Sequence, residues 1–229
     1  KTYQYTSKDD RIEILNNIGI VYAGEKQHYT AIEYFESALN IKKNDIDSLC
    51  NLGNSLLEIE KFRLSYECFK QAVKHDPNDF DALFRLGIAC NNLKKPEEAL
   101  MHFTTILRNE KDNTDAIINK GYSLHLLKKY KQAILCFDKI LKENPEDMNS
   151  LYLKAKSTVK QQKYKQTCML ISKLLQLERK NDHHNHEHEH EGNGHEHFLN
   201  KIKKDSDFIG LKNDINFKIL IRDYKVSNS

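Results

Sequence analysis

The sequence predicts an all-α fold, a right-handed superhelical solenoid of antiparallel helix pairs with C-terminal capping helices. Two observations carry this prediction: a pattern that recurs five times at a spacing of 34 residues, and helical spacing of the apolar residues within each copy. Each copy contains two small residues and then a bulky apolar residue, namely Gly19/Ala31/Phe35, Gly53/Ser65/Phe69, Gly87/Ala99/Phe103, Gly121/Ala133/Phe137 and Ala155/Thr167/Ile171. A unit of this length cannot bury its apolar face alone, so consecutive units must stack.

Each unit is predicted to be a helix hairpin. In the second unit Leu52 and Leu56 belong to one apolar stripe and Phe62 and Phe69 to a second, with a break in the pattern between them. In the third unit Pro96 follows such a break, at a first-turn position where a missing N–H is not needed. The small residues are expected where the two helices cross, because a larger side chain there would hold the backbones apart.

These residues resemble the tetratricopeptide repeat family. The family pattern is an apolar residue and glycine, a bulky residue three positions on, and then alanine, an aromatic residue, a small residue and proline. The second unit matches it with Leu52, Gly53, Leu56, Ser65, Phe69, Ala72 and Pro77. The usual tryptophan is absent, and the fifth unit departs from the pattern at Ala155, Thr158, Thr167 and Ile171. The resemblance implies a protein-binding scaffold but names no partner, because architecture alone defines the family.

The repeat register also sets the predicted domain bounds. They are an N-terminal extension at 1–11, five units at 12–45, 46–79, 80–113, 114–147 and 148–179, a His/Glu-rich flexible loop at 180–197, and capping helices with a tail at 198–229. The stretch DSDFIGLKNDINFKILI resembles the block that often closes prokaryotic tetratricopeptide arrays, with Asp205 or Ser206 and then Asp214 as helix N-caps. We expect short helices that cover the fifth unit, with a detachable partner helix as the alternative.

Composition narrows the functional class. The 36 basic and 33 acidic side chains nearly balance, so we expect neither a nucleic acid nor a membrane as partner. Five cysteines without a C-x-x-C pair indicate buried packing thiols in a reducing compartment, and therefore a cytoplasmic protein. Phosphate loops and nucleophile elbows are missing from the sequence, so we expect no enzyme activity and no required cofactor. The oligomeric state and any residues before Lys1 stay open.

A recurring polar position is the main candidate for ligand binding. In the related solenoids the first helix of each hairpin lines a concave groove, and two positions before the small residue stand Asn17, Asn51, Arg85 and Asn119. A carboxamide both donates and accepts, and an extended chain covers one repeat of about 8–10 Å in about three residues. One asparagine per unit can therefore grip every third peptide bond. This resembles the asparagine ladders in the peptide-holding solenoid of O-linked N-acetylglucosamine transferase; solvated polar residues are the alternative.

Two further sets of residues could face the same groove. Asp47, Asp81 and Asp115 lie six positions before the small residue, where they either complement the helix dipole or favour peptides with Lys, Arg or hydroxyl side chains. Asn54 and Tyr122 lie one position after the small residue.

The carboxylate clamp that some family members use for chaperone tails fits poorly. Only Asn51 and Arg85 match that clamp, and Asp81 replaces one of its lysines. A doubly anionic terminus would therefore be weakly held.

A histidine-rich tract interrupts the register. Its histidines are His183, His184, His186, His188, His190, His195 and His197, and glutamates alternate with several of them. Imidazole and carboxylate suit Zn²⁺, Ni²⁺ or Cu²⁺, but alternation cannot fix a rigid ligand shell, so any binding should be labile. A flexible polar loop that arose by simple-sequence expansion is the alternative.

The sequence therefore favours an adaptor that binds an extended peptide segment of an unidentified partner in its concave groove. The alternative function is a metal-binding or metal-responsive protein that uses the His-rich loop, with the helix array as a platform.

Overall fold

The fold consists of helix hairpins followed by three short helices at residues 197–226, which we call the closing segment. The computed structural model describes residues 7–185 and 197–226. Its helices are α1 Lys8–Gly24, α2 His28–Ile41, α3 Ile46–Glu58, α4 Phe62–His75, α5 Phe80–Asn92, α6 Pro96–Asn109, α7 Thr114–Leu126, α8 Tyr130–Glu143, α9 Met148–Lys160, α10 Tyr164–Asn185, α11 His197–Lys204, a 3₁₀ helix Ser206–Leu211 and α12 Ile215–Val226. These residues contain no strand, so the predicted all-α fold of antiparallel helix pairs is confirmed.

Two helix ends differ from the predicted domain bounds. Helix α1 begins at Lys8, within the predicted extension 1–11, because Ser7 and Asp10 form a capping box ahead of it. Helix α10 continues to Asn185, so the first residues of the predicted loop 180–197 are helical.

Repeated N-caps begin the first helices of the hairpins. The Asp45 carboxylate accepts from the Ser48 N–H, and the Asp79 carboxylate accepts from the Ala82 N–H. Asn113 and Asp147 do the same for the next two hairpins. These four caps lie 34 residues apart, and each satisfies an N–H that the helix itself leaves without a partner.

A left-handed turn joins the two helices of each hairpin. Lys26, Glu60, Lys94, Lys128 and Gln162 have φ between 59° and 61°. In the third hairpin the Lys95 N–H donates to the Cys90 carbonyl and the Lys94 N–H to the Asn91 carbonyl, which is the Schellman pattern. The chain uses residues with a side chain where glycine is favoured, so each turn carries a small backbone cost.

The small residue of the first helix faces the bulky residue of the second. A Cβ built on Gly87 would stand 2.6 Å from Cζ of Phe103, and one on Gly53 would stand 2.7 Å from Cε2 of Phe69. The fifth hairpin has Ala155 where the others have glycine, and Ile171 where they have phenylalanine. Glycine is therefore needed where an aromatic ring packs on the first helix.

The chain divides into two compact units, residues 1–119 and 120–229, which we call the N-terminal and the C-terminal unit. Phe69 and Phe103 belong to the buried core that α4, α5 and α6 form in the N-terminal unit. In the C-terminal unit, Leu199, Phe208 and Leu211 from the closing segment share one core with α9 and α10. The closing segment therefore covers apolar surface of the fifth hairpin, as the sequence predicts.

Two other findings concern the described residues as a whole. Cys50, Cys68, Cys90, Cys136 and Cys168 are all free thiols. A helix with the length and apolar character needed to span a bilayer does not occur within residues 7–185 and 197–226.

Candidate functional site

The ladder residues all lie in the N-terminal unit. Asn17 lies on α1, Asn51 on α3, Arg85 on α5 and Asn119 on the first part of α7. Asn17 and Arg85 are exposed, whereas Asn51 and Asn119 are half-buried. Each side chain therefore stands on the first helix of its hairpin, but their access to solvent differs.

The first two ladder residues share one concavity, which we call concavity 1. It has a volume of about 660 Å³ and is lined by residues of α1, α3 and the turn that precedes α3. Asn17 and Asn51 both line it, together with Asp47 from the predicted acidic set. Two consecutive hairpins thus contribute one ladder residue each to the same open space.

Arg85 lies in a second concavity, concavity 2, in the same unit. This space has a volume of about 490 Å³ and includes Asp81 and Asp115 from the predicted acidic set. Phe80 and Phe84 provide apolar surface beside the charges. A guanidinium, carboxylates and aromatic rings are therefore available together.

Both concavities are acidic. Four carboxylates and one cation line concavity 1, for a formal charge of −3: Asp9, Glu13, Asp45 and Asp47 with Lys42. Concavity 2 has the same balance: Asp79, Asp81, Glu110 and Asp115 with Arg85. Carboxylates that outnumber cations along one surface create a negative potential, which favours basic ligands.

Asp45 has a structural task within concavity 1. Burial opposes ionisation of this carboxyl, but hydrogen bonds from Ser48 and Lys42 outweigh that effect and lower its pKa. The Lys42 ammonium lies 3.1 Å from Oδ1 of Asp45. Asp45 already forms an ion pair with Lys42, so the exposed Asp47 carboxylate is more available than Asp45 to bind a ligand.

Sequence reasoning overlooked Asn16, which also lines concavity 1. Its Nδ2 donates to Oγ of Ser48 at 2.9 Å, and the Ser48 hydroxyl in turn donates to Asp45 at 2.7 Å. This chain of hydrogen bonds fixes the orientation of the Asn16 amide, and its buried Oδ1 has no partner within the described residues. Asn16 stands where the carboxylate clamp has its first lysine and directly before Asn17, but it was given no role in the ladder.

Three other predicted site residues line neither of the two concavities. Nδ2 of Asn119 donates to the Asp115 carbonyl at 2.9 Å, so this carboxamide is partly engaged within its own helix. Oδ1 of Asn54 is buried without a partner among the described residues. Tyr122 lies in the C-terminal unit, where its ring stacks on His125 with centroids 6.5 Å apart.

A polar cluster fastens the closing segment to the C-terminal unit. Asp207 contacts Lys156 at 3.0 Å, Lys160 at 2.9 Å and His125 at 3.2 Å. Asp205 contacts Lys156 at 2.9 Å and accepts from the Tyr152 hydroxyl at 2.5 Å. Lys156 occupies the same repeat position as Asn54 and Tyr122, but its ammonium is used inside the protein.

The cluster holds both carboxylates ionised. Burial raises the pKa of the Asp207 carboxyl, but hydrogen bonds from His125, Lys160 and Lys156 outweigh burial and hold it far below its ordinary value. The Asp205 pKa is lowered in the same way, against burial, by Tyr152, the Asp207 N–H and Lys156. Asp205 also caps the 3₁₀ helix and Asp214 caps α12, as the sequence predicts.

Most of the histidine tract lies outside the described residues. His186, His188, His190 and His195 lie outside the described residues. His183 and His184 belong to the last turn of α10, and α11 begins at His197.

Family profiles match three parts of the chain. Two profiles described as tetratricopeptide repeat match residues 12–45 and 50–116. A profile described as anaphase-promoting complex, cyclosome, subunit 3 matches residues 104–174. None of the curated proteins matches the chain.

Several solved structures are similar in fold. MamA from Desulfovibrio magneticus RS-1 is 20% identical, with a TM-score of 0.70 over 77% of this chain and 99% of that one. MamA of MSR-1 is 16% identical, with a TM-score of 0.65 over 75% of this chain and 98% of that one. YrrB, described as a TPR protein with an unusual peptide-binding site, is 15% identical, with a TM-score of 0.61 over 76% and 93%. At these identities the likeness establishes the fold alone.

Proposed function

Because the chain belongs to the tetratricopeptide repeat family, we propose that it is a protein-interaction scaffold whose N-terminal unit holds an extended, basic segment of a partner protein. One observation carries the proposal, namely that the ladder residues Asn17, Asn51 and Arg85 line two concavities that are both acidic. The ladder supplies contacts to a peptide backbone, and the carboxylates supply preference for basic side chains.

The ladder chemistry suits a peptide in extended conformation. Such a chain exposes N–H and C=O groups that must be hydrogen-bonded when water is displaced. The carboxamides of Asn17 and Asn51 can each donate and accept, whereas the Arg85 guanidinium only donates. Arg85 therefore selects a carbonyl oxygen or another acceptor, and the two asparagines tolerate any peptide unit.

The acidic residues provide charge selectivity. Asp81 and Asp115 line concavity 2 with Arg85, and Asp47 lines concavity 1 with Asn51; all three aspartates are exposed. Exposed ion pairs contribute about 0.2–1 kcal/mol each, so useful affinity needs several basic residues in one segment. Binding should weaken as salt rises, because the charges are screened by solvent ions.

The structural comparison supports a peptide as the class of ligand. YrrB, whose fold is similar to that of this chain, is described as having an unusual peptide-binding site. The metal-carrying alternative rests on the histidine tract and stays a prediction.

Selection from a displayed library of random peptides about 10 residues long tests the proposal, since three repeat steps of about 8–10 Å span that length. Selected peptides should be rich in Lys and Arg, and affinity should be measured by fluorescence anisotropy at low and high salt. Enrichment of acidic peptides, or binding that salt leaves unchanged, would contradict the proposed charge preference.

Variants separate the ladder from the acidic residues. Asn17→Ala with Asn51→Ala should weaken a selected peptide by at least about fivefold, because hydrogen bonds contribute about 0.5–1.5 kcal/mol each. Asp81→Asn with Asp115→Asn should weaken basic peptides and reduce the salt dependence. Asn40→Ala, an exposed asparagine on α2, is the matched control and should bind like wild type. Unchanged affinity in the double asparagine variant would refute the ladder.

A further inference from the structure

One side-chain cluster of the third hairpin belongs to neither the concavities nor the closing segment. Cys90 lies on α5, and Glu98 and His102 lie on α6. One potential ligand atom from each of the three residues lies within 4.8 Å of the other two. Cys90 is fully buried, and Glu98 and His102 are half-buried.

His102 also has a buried ring nitrogen without a partner among the described residues. Its Nε2 is buried and has no hydrogen-bond partner within residues 7–185 and 197–226. A buried polar atom without a partner is uncommon in native proteins, and a bound cation would satisfy it.

The hairpin geometry holds the three side chains in place. Glu98 and His102 are four residues apart on α6 and therefore share one face of that helix. The Lys95 N–H donates to the Cys90 carbonyl at 2.9 Å, which ties the end of α5 to the start of α6. Both ligand-bearing helices are thus joined by a turn with fixed hydrogen bonds only a few residues from the cluster.

Glu98 is oriented by neighbours. The Tyr66 hydroxyl donates to Oε1 of Glu98 at 2.7 Å. The Lys95 ammonium lies 3.6 Å from Oε2 and 4.0 Å from the centroid of the Tyr66 ring. Outer hydrogen bonds of this kind fix ligand carboxylates in metal sites, and the exposed Lys95 side chain can turn away when a cation binds at Oε2.

Comparison within the chain shows that the repeat architecture does not require these three residues. The equivalent positions hold Tyr22/Thr30/Tyr34, Leu56/Leu64/Cys68, Leu124/Gln132/Cys136 and Thr158/Gln166/Leu170 in the other units. None of these sets contains a histidine or a carboxylate. The third unit therefore combines thiol, imidazole and carboxylate where its neighbours have apolar or uncharged side chains.

We propose that Cys90, Glu98 and His102 form a three-ligand site for a divalent transition-metal ion such as Zn²⁺, with water in the fourth position. Thiolate, imidazole and carboxylate are the three ligand types that bind zinc in proteins. Tetrahedral zinc with bonds of about 2.0–2.3 Å places its ligand atoms about 3.4–3.8 Å apart. Small side-chain rotations close the present spacing to that value. The thiol proton is released to water when the metal–sulfur bond forms.

Cobalt titration of the full reduced protein tests this site, because thiolate-to-cobalt charge transfer absorbs in the near ultraviolet. Residues 180–197 contain no cysteine, so cobalt bound to the histidine tract does not produce this band. We expect the band to saturate at one equivalent of Co²⁺ and to disappear when Zn²⁺ is added. No band at stoichiometric cobalt would overturn the proposal.

Variants of two of the three proposed ligands and of a control cysteine show which residues produce the absorption band. Cys90→Ser should abolish it, and His102→Gln should weaken cobalt affinity at least about tenfold. Cys136→Ser removes the thiol at the position equivalent to His102 in the fourth unit and should leave the band unchanged. Circular dichroism of each variant confirms folding; His102 is half-buried, so its variant tests the site even where Cys90→Ser is destabilised. A band that survives in both Cys90→Ser and His102→Gln assigns the metal to another thiol and overturns the proposal.

Discussion

The substitution Gly87→Ala should destabilise the protein although alanine is the better helix former. A methyl group at this position would stand 2.6 Å from Cζ and 2.8 Å from Cε1 of Phe103, whose ring is fully buried. Overpacking a close-packed core costs about 1–3 kcal/mol. Alanine regains about 1 kcal/mol of helix propensity, so the net loss of unfolding free energy should be up to about 2 kcal/mol.

Two further variants isolate the steric cause. Gly24→Ala is the matched control, because Gly24 ends α1 and a Cβ there meets nothing within 4 Å. It should be neutral or more stable than wild type by up to about 1 kcal/mol. The double variant Gly87→Ala with Phe103→Ile reproduces the Ala155 and Ile171 pair of the fifth hairpin. Its stability loss should be smaller than the sum of the two single losses, because the smaller side chain makes room for the methyl group.

Urea unfolding followed by circular dichroism measures these three variants and the single variant Phe103→Ile, with the midpoint and the slope compared to wild type. The steric explanation predicts a lower midpoint for Gly87→Ala and a favourable coupling energy with Phe103→Ile. If Gly87→Ala unfolds at the same or a higher urea concentration than wild type, the ring contact does not limit this position. Additive losses in the double variant would refute the explanation in a second way.

Two other predictions concern a turn and the closing segment. Lys94→Gly should raise the unfolding free energy by about 0.5 kcal/mol, since glycine removes the cost of φ = 60° but gains freedom in the unfolded chain; Lys70→Gly, within α4, should instead lower it by about 1 kcal/mol in the same urea experiment. Asp207 has a depressed folded-state pKa, so the stability it contributes is present above its ordinary pKa near 3.9 and is lost as the pH falls below that value. Wild type should therefore lose thermal stability between about pH 5 and pH 3 more steeply than Asp207→Asn. The variant should be less stable than wild type at pH 7. Equal slopes of stability against pH in the two proteins would contradict the role of the cluster.

Much of the fold could be predicted because its determinants are local and periodic. The 34-residue spacing of Gly53, Gly87 and Gly121 indicated helix crossings, and each of these glycines does face an aromatic ring. Pro96 begins α6 as its fixed φ and missing N–H allow. Such features depend on residues a few turns apart in one hairpin, and a repeated pattern exposes them several times.

The left-handed turns were not predicted, although their positions are also periodic. Lys26, Glu60 and Lys94 lack the glycine that normally marks a positive φ, so composition gave no signal. The hydrogen bonds of the Schellman pattern hold these residues in place despite the cost. Here local backbone hydrogen bonds override the conformational preference of the individual residue.

The candidate site could be predicted only in part, because its geometry depends on residues from separate hairpins. Repeat position correctly associated Asn17, Asn51 and Arg85 with first helices, and the concavities add which carboxylates accompany them. Lys156 holds the repeat position of Asn54 and Tyr122, which were predicted to face the groove, but Asp205 and Asp207, about 50 residues later, pair with it. No periodicity links α9 to the closing segment, so this use of Lys156 required the structure.

The third hairpin shows how a repeat protein separates structural from functional demands on a residue. Phe103 fills the position that every well-matched unit gives to phenylalanine, and its burial explains that choice without a ligand. Cys90 and His102 fill positions where other units place leucine, tyrosine, threonine or cysteine, so packing alone admits many side chains there. Sequence reasoning treated all five cysteines as packing thiols, and among the described residues neither Cys68 nor Cys136 belongs to a group of three close potential metal ligands. Cys90 differs because α6 brings an unpaired imidazole and an oriented carboxylate to it. The metal site is therefore inferred from what the third unit adds to the shared architecture, and the cobalt experiment tests that addition independently of peptide binding.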